Sequence, residues 1–173
     1  TWNDVWLNEG FTTYVEHRIG EAIFGVKEAK MQDVLSRKSL YDNMEDYGPN
    51  NPETQLKVNV DGKNADDSLS DIPYEKGYAF LQTVENVVGR EKFDAFITEY
   101  FNSHAFQSIT TEHFLKYFNE KLIKGDKTLA AKIKAEEWIY KPGIPSNITK
   151  AISEDFNAID QIQKTWRQTG IKG

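Results

Sequence analysis

The residue with the clearest chemical potential is Glu9, a carboxylate inside the apolar run Trp6-Leu7-Asn8-Glu9-Gly10-Phe11. Apolar residues follow it at the three-to-four spacing of one buried helical face, at Phe11, Tyr14, Val15, Ile19, Ala22 and Ile23. Glu9 lies about half a turn away from that face, so we expect its carboxylate to point away from the main core. A Glu in the first turn of a helix is also an ordinary surface residue that suits the helix dipole. The spacing alone leaves both interpretations open.

Tyr74 is the second candidate, in the segment Ile72-Pro73-Tyr74-Glu75-Lys76-Gly77-Tyr78. The acidic and Pro-containing start of this segment predicts that a helix begins here and that Tyr74 lies in its first turn. A phenol is a neutral hydrogen-bond donor near pH 7. Tyr74 also shares one helical face with Tyr78, Leu81 and Val84, so periodicity alone favours a core residue.

The two segments resemble the gluzincin zinc aminopeptidases, the family of aminopeptidase N and leukotriene A(4) hydrolase. The run around Glu9, with a second acid at Glu16, resembles the segment that supplies the third zinc ligand of that family. Pro73-Tyr74-Glu75-Lys76-Gly77 is similar to the branch of leukotriene hydrolase and the cold-active aminopeptidases. The similarity continues through residues 108–111 and 138–145 and covers most of residues 1–145.

The resemblance implies that Glu9 binds one zinc ion and that Tyr74 stabilises the oxyanion formed when zinc-bound water attacks a peptide carbonyl. The family's other two ligands belong to a His-Glu-x-x-His motif that would precede residue 1. The three histidines of this chain, His17, His104 and His113, do not form that motif. We therefore expect a fragment of a larger zinc aminopeptidase that acts on peptides, cut just after its zinc helix. By itself the fragment should bind zinc weakly or not at all and be inactive.

Asp66 is a third, weaker candidate for contact with substrate. It falls where leukotriene hydrolase has an acid linked to its epoxide-opening reaction, whereas Leu69 stands where that enzyme has a tyrosine at its lipid site. Epoxide hydrolysis is therefore an alternative function, although the tyrosine of the lipid site is missing. Asp66 beside Asp67 is equally compatible with an ordinary solvated pair in a loop. A non-catalytic helical interaction module is the other alternative function.

Composition excludes several classes of protein. With 173 residues, 39% of them hydrophobic, the chain can build a real core. The net charge of −6 argues against a nucleic-acid or anionic-membrane partner, because an acidic surface gains nothing from either. The absence of cysteine excludes disulfides and is compatible with cytoplasm or periplasm. Compartment and oligomeric state are not determined by these residues.

The elements that must position these side chains are predicted to be almost entirely helical. The resemblance implies the helical C-terminal half of a thermolysin-like catalytic domain over residues 1–141. A Pro/Gly linker at 142–150 and the first helix of an α-helical domain at 151–173 would follow. Residues 56–60 alternate like a short strand, and residues 129–140 are typical of a single helix.

Overall fold

The computed structural model describes residues 2–60 and 70–170. Within these ranges the regular secondary structure is entirely helical, which confirms the predicted mainly α fold. The helices are α1 (Val5–Phe24), α2 (Val26–Tyr47), α3 (Ile72–Val88), α4 (Arg90–Ser103), α5 (Thr111–Phe118), α6 (Lys127–Ile133), α7 (Ala135–Tyr140) and α8 (Glu154–Thr169).

Two predicted elements differ from the structure. The strand expected at residues 56–60 does not form, because the backbone N–H groups of Leu56 and Lys57 both donate to the carbonyl oxygen of Ile139, at 3.2 and 3.1 Å. The single helix expected over residues 129–140 is two helices. Lys134 between them has a left-handed backbone with φ of 56°, which interrupts helical hydrogen bonding.

The face that α1 buries is also different from the predicted one. The buried residues of α1 lie in its first half and are Trp6, Leu7, Gly10, Phe11 and Tyr14. Val15, Ile19 and Ile23, predicted to be buried, are 38%, 54% and 66% exposed. In its second half α1 turns polar side chains toward its neighbours instead, since His17 stacks on Tyr78 of α3 and Arg18 donates to Asp94 of α4. A helix that is apolar on more than one side is typical of the interior of a larger fold.

Trp6 fixes the start of α1 in the aromatic core. Its ring meets Phe80 and Phe114 edge to face, with centroids 5.9 and 5.5 Å apart, and its indole N–H donates to the Thr111 hydroxyl at 3.0 Å. The buried Asp4 carboxylate accepts from the Thr111 backbone N–H at 2.9 Å and from Lys57 Nζ at 2.6 Å. These contacts hold the segment that leads into Glu9.

The chain after α7 first packs on the body and then forms α8. Asn147 Nδ2 donates to the carbonyls of Lys132 and Ile133, at 2.7 and 2.9 Å. The helix α8 is capped by Ser153, whose hydroxyl accepts from the backbone N–H of Phe156, but it buries none of its residues against the described chain. Across residues 2–60 and 70–170, none of the helices has the length and apolar character needed to cross a membrane.

Candidate active site

The centre of the candidate site is a crossing of α1 and α3 in which two glycines touch backbone to backbone. A Cβ built on Gly10 would lie 2.9 Å from the Cα of Gly77, and one built on Gly77 would lie 2.7 Å from the Cα of Gly10. Both distances are shorter than any ordinary carbon contact, so only glycine allows this approach. Glu9 precedes Gly10 directly, and Tyr74 lies one turn before Gly77. The crossing therefore brings the two predicted site residues together.

The residues around Tyr74 are each held by a different part of the fold. Pro73 and Gly77 lie against Gly10 of α1. The Glu75 carboxylate accepts a hydrogen bond from the Ser36 hydroxyl of α2. Lys76 is fully buried and donates to two carbonyls outside the helix. Tyr74 alone in this first turn of α3 faces outward.

Tyr74 is 36% exposed, whereas Tyr78, Leu81 and Val84 on the same predicted face are buried. The interpretation of Tyr74 as a core residue is therefore wrong. Partial burial raises the pKa of the Tyr74 phenol, and the charge and hydrogen bonding of the neighbouring Glu9 carboxylate raise it further. The phenol consequently stays protonated at neutral pH and is available as a donor.

Glu9 fits a metal site in its chemistry but supplies only a single ligand. It is partly buried, and carboxylate oxygen is an ordinary zinc ligand. Within residues 2–60 and 70–170, no group of three His, Cys, Asp or Glu side chains is arranged to hold a metal ion. A catalytic zinc site takes three protein ligands, so the described residues do not make up such a site by themselves.

The three histidines have structural partners of their own. His17 stacks on the Tyr78 ring with centroids 4.0 Å apart, and its Nδ1 lies 3.1 Å from an Asp33 carboxylate oxygen. Burial alone would raise the pKa of Asp33, but hydrogen bonds from His17 and Tyr78 outweigh it, so this pKa is lowered. His104 Nδ1 lies 2.8 Å from the Tyr100 carbonyl, and His113 lies at the start of α5. The Glu16 side chain is exposed on α1.

Lys76 was not among the predicted site residues, although the sequence contains a signal for it. It stands four residues after Ile72 and four before Phe80, both fully buried, and thus in the middle of an apolar helical stripe. A charged residue in that position must find buried partners. Asp66 and Leu69, the other residues considered from the sequence, lie outside the described residues.

Comparison with known proteins identifies the family. The model of the peptidase family M1 domain matches residues 1–138. The chain belongs to peptidase family M1. This M1 chain is 38% identical over 149 residues to leucine aminopeptidase 2 of Neosartorya fischeri, an alignment that covers 84% of the chain and 24% of that protein.

Solved structures of the M1 family share the fold. The native yeast LTA4 hydrolase superposes with a TM-score of 0.88 at 30% identity, over 99% of this chain and 27% of that one. A mutant of the M1 zinc metallopeptidase from Deinococcus radiodurans, bound to a Tyr-Ser-Ala substrate, gives a TM-score of 0.63 over 86% of this chain and 30% of that one. At 21% identity the second match shows the fold alone. This M1 chain spans about a quarter of the length of the curated relatives that it matches, for example 24% of leucine aminopeptidase 2 from Neosartorya fischeri and from Coccidioides immitis.

Proposed function

We propose that this chain forms part of a zinc-dependent aminopeptidase that removes N-terminal residues from peptides, and that it supplies one metal ligand and one oxyanion donor. The observation that carries the proposal is the placement of Tyr74, exposed beside Glu9 at the Gly10–Gly77 crossing while its neighbours in the sequence are anchored elsewhere. Membership of peptidase family M1 and similarity to leucine aminopeptidase 2 support the same activity.

In this proposal Glu9 would hold the zinc ion as its carboxylate ligand. A zinc ion in a site of this kind lowers the pKa of bound water and polarises a carbonyl oxygen. Tyr74 donates its phenolic proton in a hydrogen bond to the oxygen on which negative charge develops. A phenol keeps its proton through the neutral pH range, which suits this role. The start of α3 adds the positive end of a helix dipole.

We also propose that residues 1–141 are part of a larger catalytic domain. The outer face of α1 supports this, since Val15, Ile19 and Ile23 form an exposed apolar strip on the helix that carries Glu9. Phe101, which packs edge to face on Phe11 with centroids 5.3 Å apart, extends the strip and is itself half exposed. Additional chain of the enzyme would cover this strip. In the same proposal, residues 142–150 connect this domain to an α-helical domain that begins with α8.

The test is Tyr74→Phe in the full-length enzyme that contains this chain. Loss of one oxyanion donor should lower kcat by about 10² to 10³ and leave KM within a few-fold. Zinc content and melting temperature should be unchanged, because the exposed phenol makes little contribution to packing.

The matched control is Tyr78→Phe, one turn along the same helix. The buried Tyr78 hydroxyl donates to Asp33 and accepts from Gln82 Nε2 at 2.8 Å, so its loss should cost about 1 to 2 kcal/mol of stability and leave kcat nearly unaltered. A Tyr74→Phe enzyme that keeps at least half of the wild-type kcat would refute the catalytic role of Tyr74.

A further inference from the structure

Lys76 has a buried amine with two neutral hydrogen-bond partners. Its side chain is 0% exposed, and Nζ donates to the carbonyl oxygens of Thr54 and Lys141, at 2.8 and 2.9 Å. Thr54 is the last residue of the 3₁₀ helix Pro52–Thr54 and Lys141 follows the last residue of α7, so both carbonyls lie at helix C-termini, where carbonyl groups need partners outside the helix. A buried amine with this bonding joins three parts of the chain that are distant in sequence.

The two segments that receive Lys76 are also bound to each other. The Thr54 hydroxyl accepts from the backbone N–H of Gly143 at 2.9 Å. Gly143 has φ of +74°, and a Cβ built on it would lie 2.8 Å from the carbonyl oxygen of Pro49. Lys76 therefore bonds to a closely packed platform formed by residues 49–54 and 141–143, and not to a flexible loop.

The position of Lys76 in α3 connects this platform with Tyr74. Two residues along an α-helix correspond to about 200° of rotation, so Lys76 points to the side of the first turn opposite Tyr74. Within the described residues the Asp71 side chain makes no capping hydrogen bond to this turn. Besides the Ser70 hydroxyl, which accepts from the backbone N–H of Ile72, the turn is fixed by Lys76 on the platform, by Glu75 on Ser36 and by Gly77 on Gly10.

We propose that Lys76 is a positioning residue for Tyr74: it holds the back of the first turn of α3 on the Thr54 and Lys141 carbonyls and thereby sets the separation between the phenol and the Glu9 carboxylate. The effect of Lys76 on the distance between phenol and carboxylate can be measured on the chain itself. Only the consequence of this distance for catalysis rests on the proposed aminopeptidase function.

The first measurement uses the 173-residue chain with ¹³C-labelled tyrosine and follows the phenol pKa of Tyr74 by NMR, with Tyr74→Phe to assign the signal. Methionine has nearly the length of lysine and no N–H donor. In Lys76→Met we expect the Tyr74 pKa to fall from its raised value toward about 10, the ordinary value for tyrosine, because the phenol moves away from Glu9. Val84→Ala, a destabilising change in the buried part of α3, should leave the Tyr74 pKa as in the wild type.

The second measurement uses the full-length enzyme. Lys76→Met should lower kcat by about 10- to 100-fold, the effect of a displacement near 1 Å, with KM within about threefold because substrate contacts remain. Lys76→Gln, whose amide reaches one carbonyl, should recover part of both the kcat and the Tyr74 pKa, and it replaces Lys76→Met if that chain does not fold. Val84→Ala should lower melting temperature without this loss of kcat.

The two measurements separate the positioning role from the proposed function. If the Tyr74 pKa falls in Lys76→Met but the wild-type full-length protein has no peptidase activity, the positioning role is supported and the proposed function is refuted. A folded Lys76→Met or Lys76→Gln chain whose Tyr74 pKa equals that of the wild type would overturn the positioning role.

Discussion

The Gly10–Gly77 crossing gives the sharpest prediction about how the site is assembled. In Gly77→Ala the new methyl group would lie 2.7 Å from the Cα of Gly10. Carbon atoms in contact are normally about 3.5 to 4.0 Å apart, so the two helices must separate by roughly 1 Å. Because the contact is between backbones, no side-chain rotation can relieve it.

The cost follows from two opposing effects. Overpacking of this kind costs about 1 to 3 kcal/mol. Alanine in place of glycine within a helix returns up to about 1 kcal/mol. We therefore expect Gly77→Ala to destabilise the chain by about 1 to 2 kcal/mol, which corresponds to a fall in Tm of roughly 2 to 8 °C for a protein of this size.

The assay is thermal and urea unfolding of the chain followed by circular dichroism. Gly20→Ala is the matched control, since Gly20 is also inside α1 but a Cβ there would meet no atom of the described chain within 4 Å. It should gain about 0.5 to 1 kcal/mol from helix propensity alone. A Gly77→Ala chain that is as stable as Gly20→Ala would show that the crossing is not as close as described and would remove our reason for the pairing of Glu9 with Tyr74.

Three further predictions concern metal, activity and pH. Calorimetric titration of the chain should show no stoichiometric submicromolar zinc binding, because Glu9 offers one ligand where three are needed; tight binding abolished by Glu9→Ala would contradict this. The isolated chain should not hydrolyse aminoacyl anilides, and turnover that survives repurification would contradict that. Burial lowers the pKa of Lys76 to about 7 from 10.5. The unfolded chain then binds more protons above pH 7, so stability should rise by up to roughly 1 kcal/mol per pH unit between about pH 7 and pH 9. The free energy of unfolding of Lys76→Met, measured by denaturant titration, should not rise over this pH range. If it rises in parallel with that of the wild-type chain, this prediction is refuted.

Much of the helical framework was predictable from local chemistry. Gly25 and Gly89 end helices with positive φ angles of 90° and 88°, and Thr110 caps α5 through its side chain. These signals act within a few residues of each other, so they can be recognised in the sequence. The break at Lys134 could not be recognised in this way, because no residue pattern nearby indicates that a lysine adopts a left-handed conformation.

The sequence indicated candidate site residues but not their geometry. The motifs around Glu9 and Tyr74 pointed to the family, but periodicity alone favoured a core position for Tyr74. Its exposure depends on how α3 is rotated on α1, and the contact of Gly10 with Gly77 determines that rotation.

The sequence by itself determined the helix ends that a glycine or a capping side chain marks, the absence of disulfides and the residue types that can bind metal or donate to an oxyanion, since these depend on side-chain chemistry and short-range spacing. Only the tertiary structure decided that Glu9 and Tyr74 are neighbours, that Lys76 is bonded to two distant carbonyls and that half of the apolar stripe of α1 is exposed. Each of these depends on contacts between residues at least 22 positions apart, for which helical periodicity provides no register.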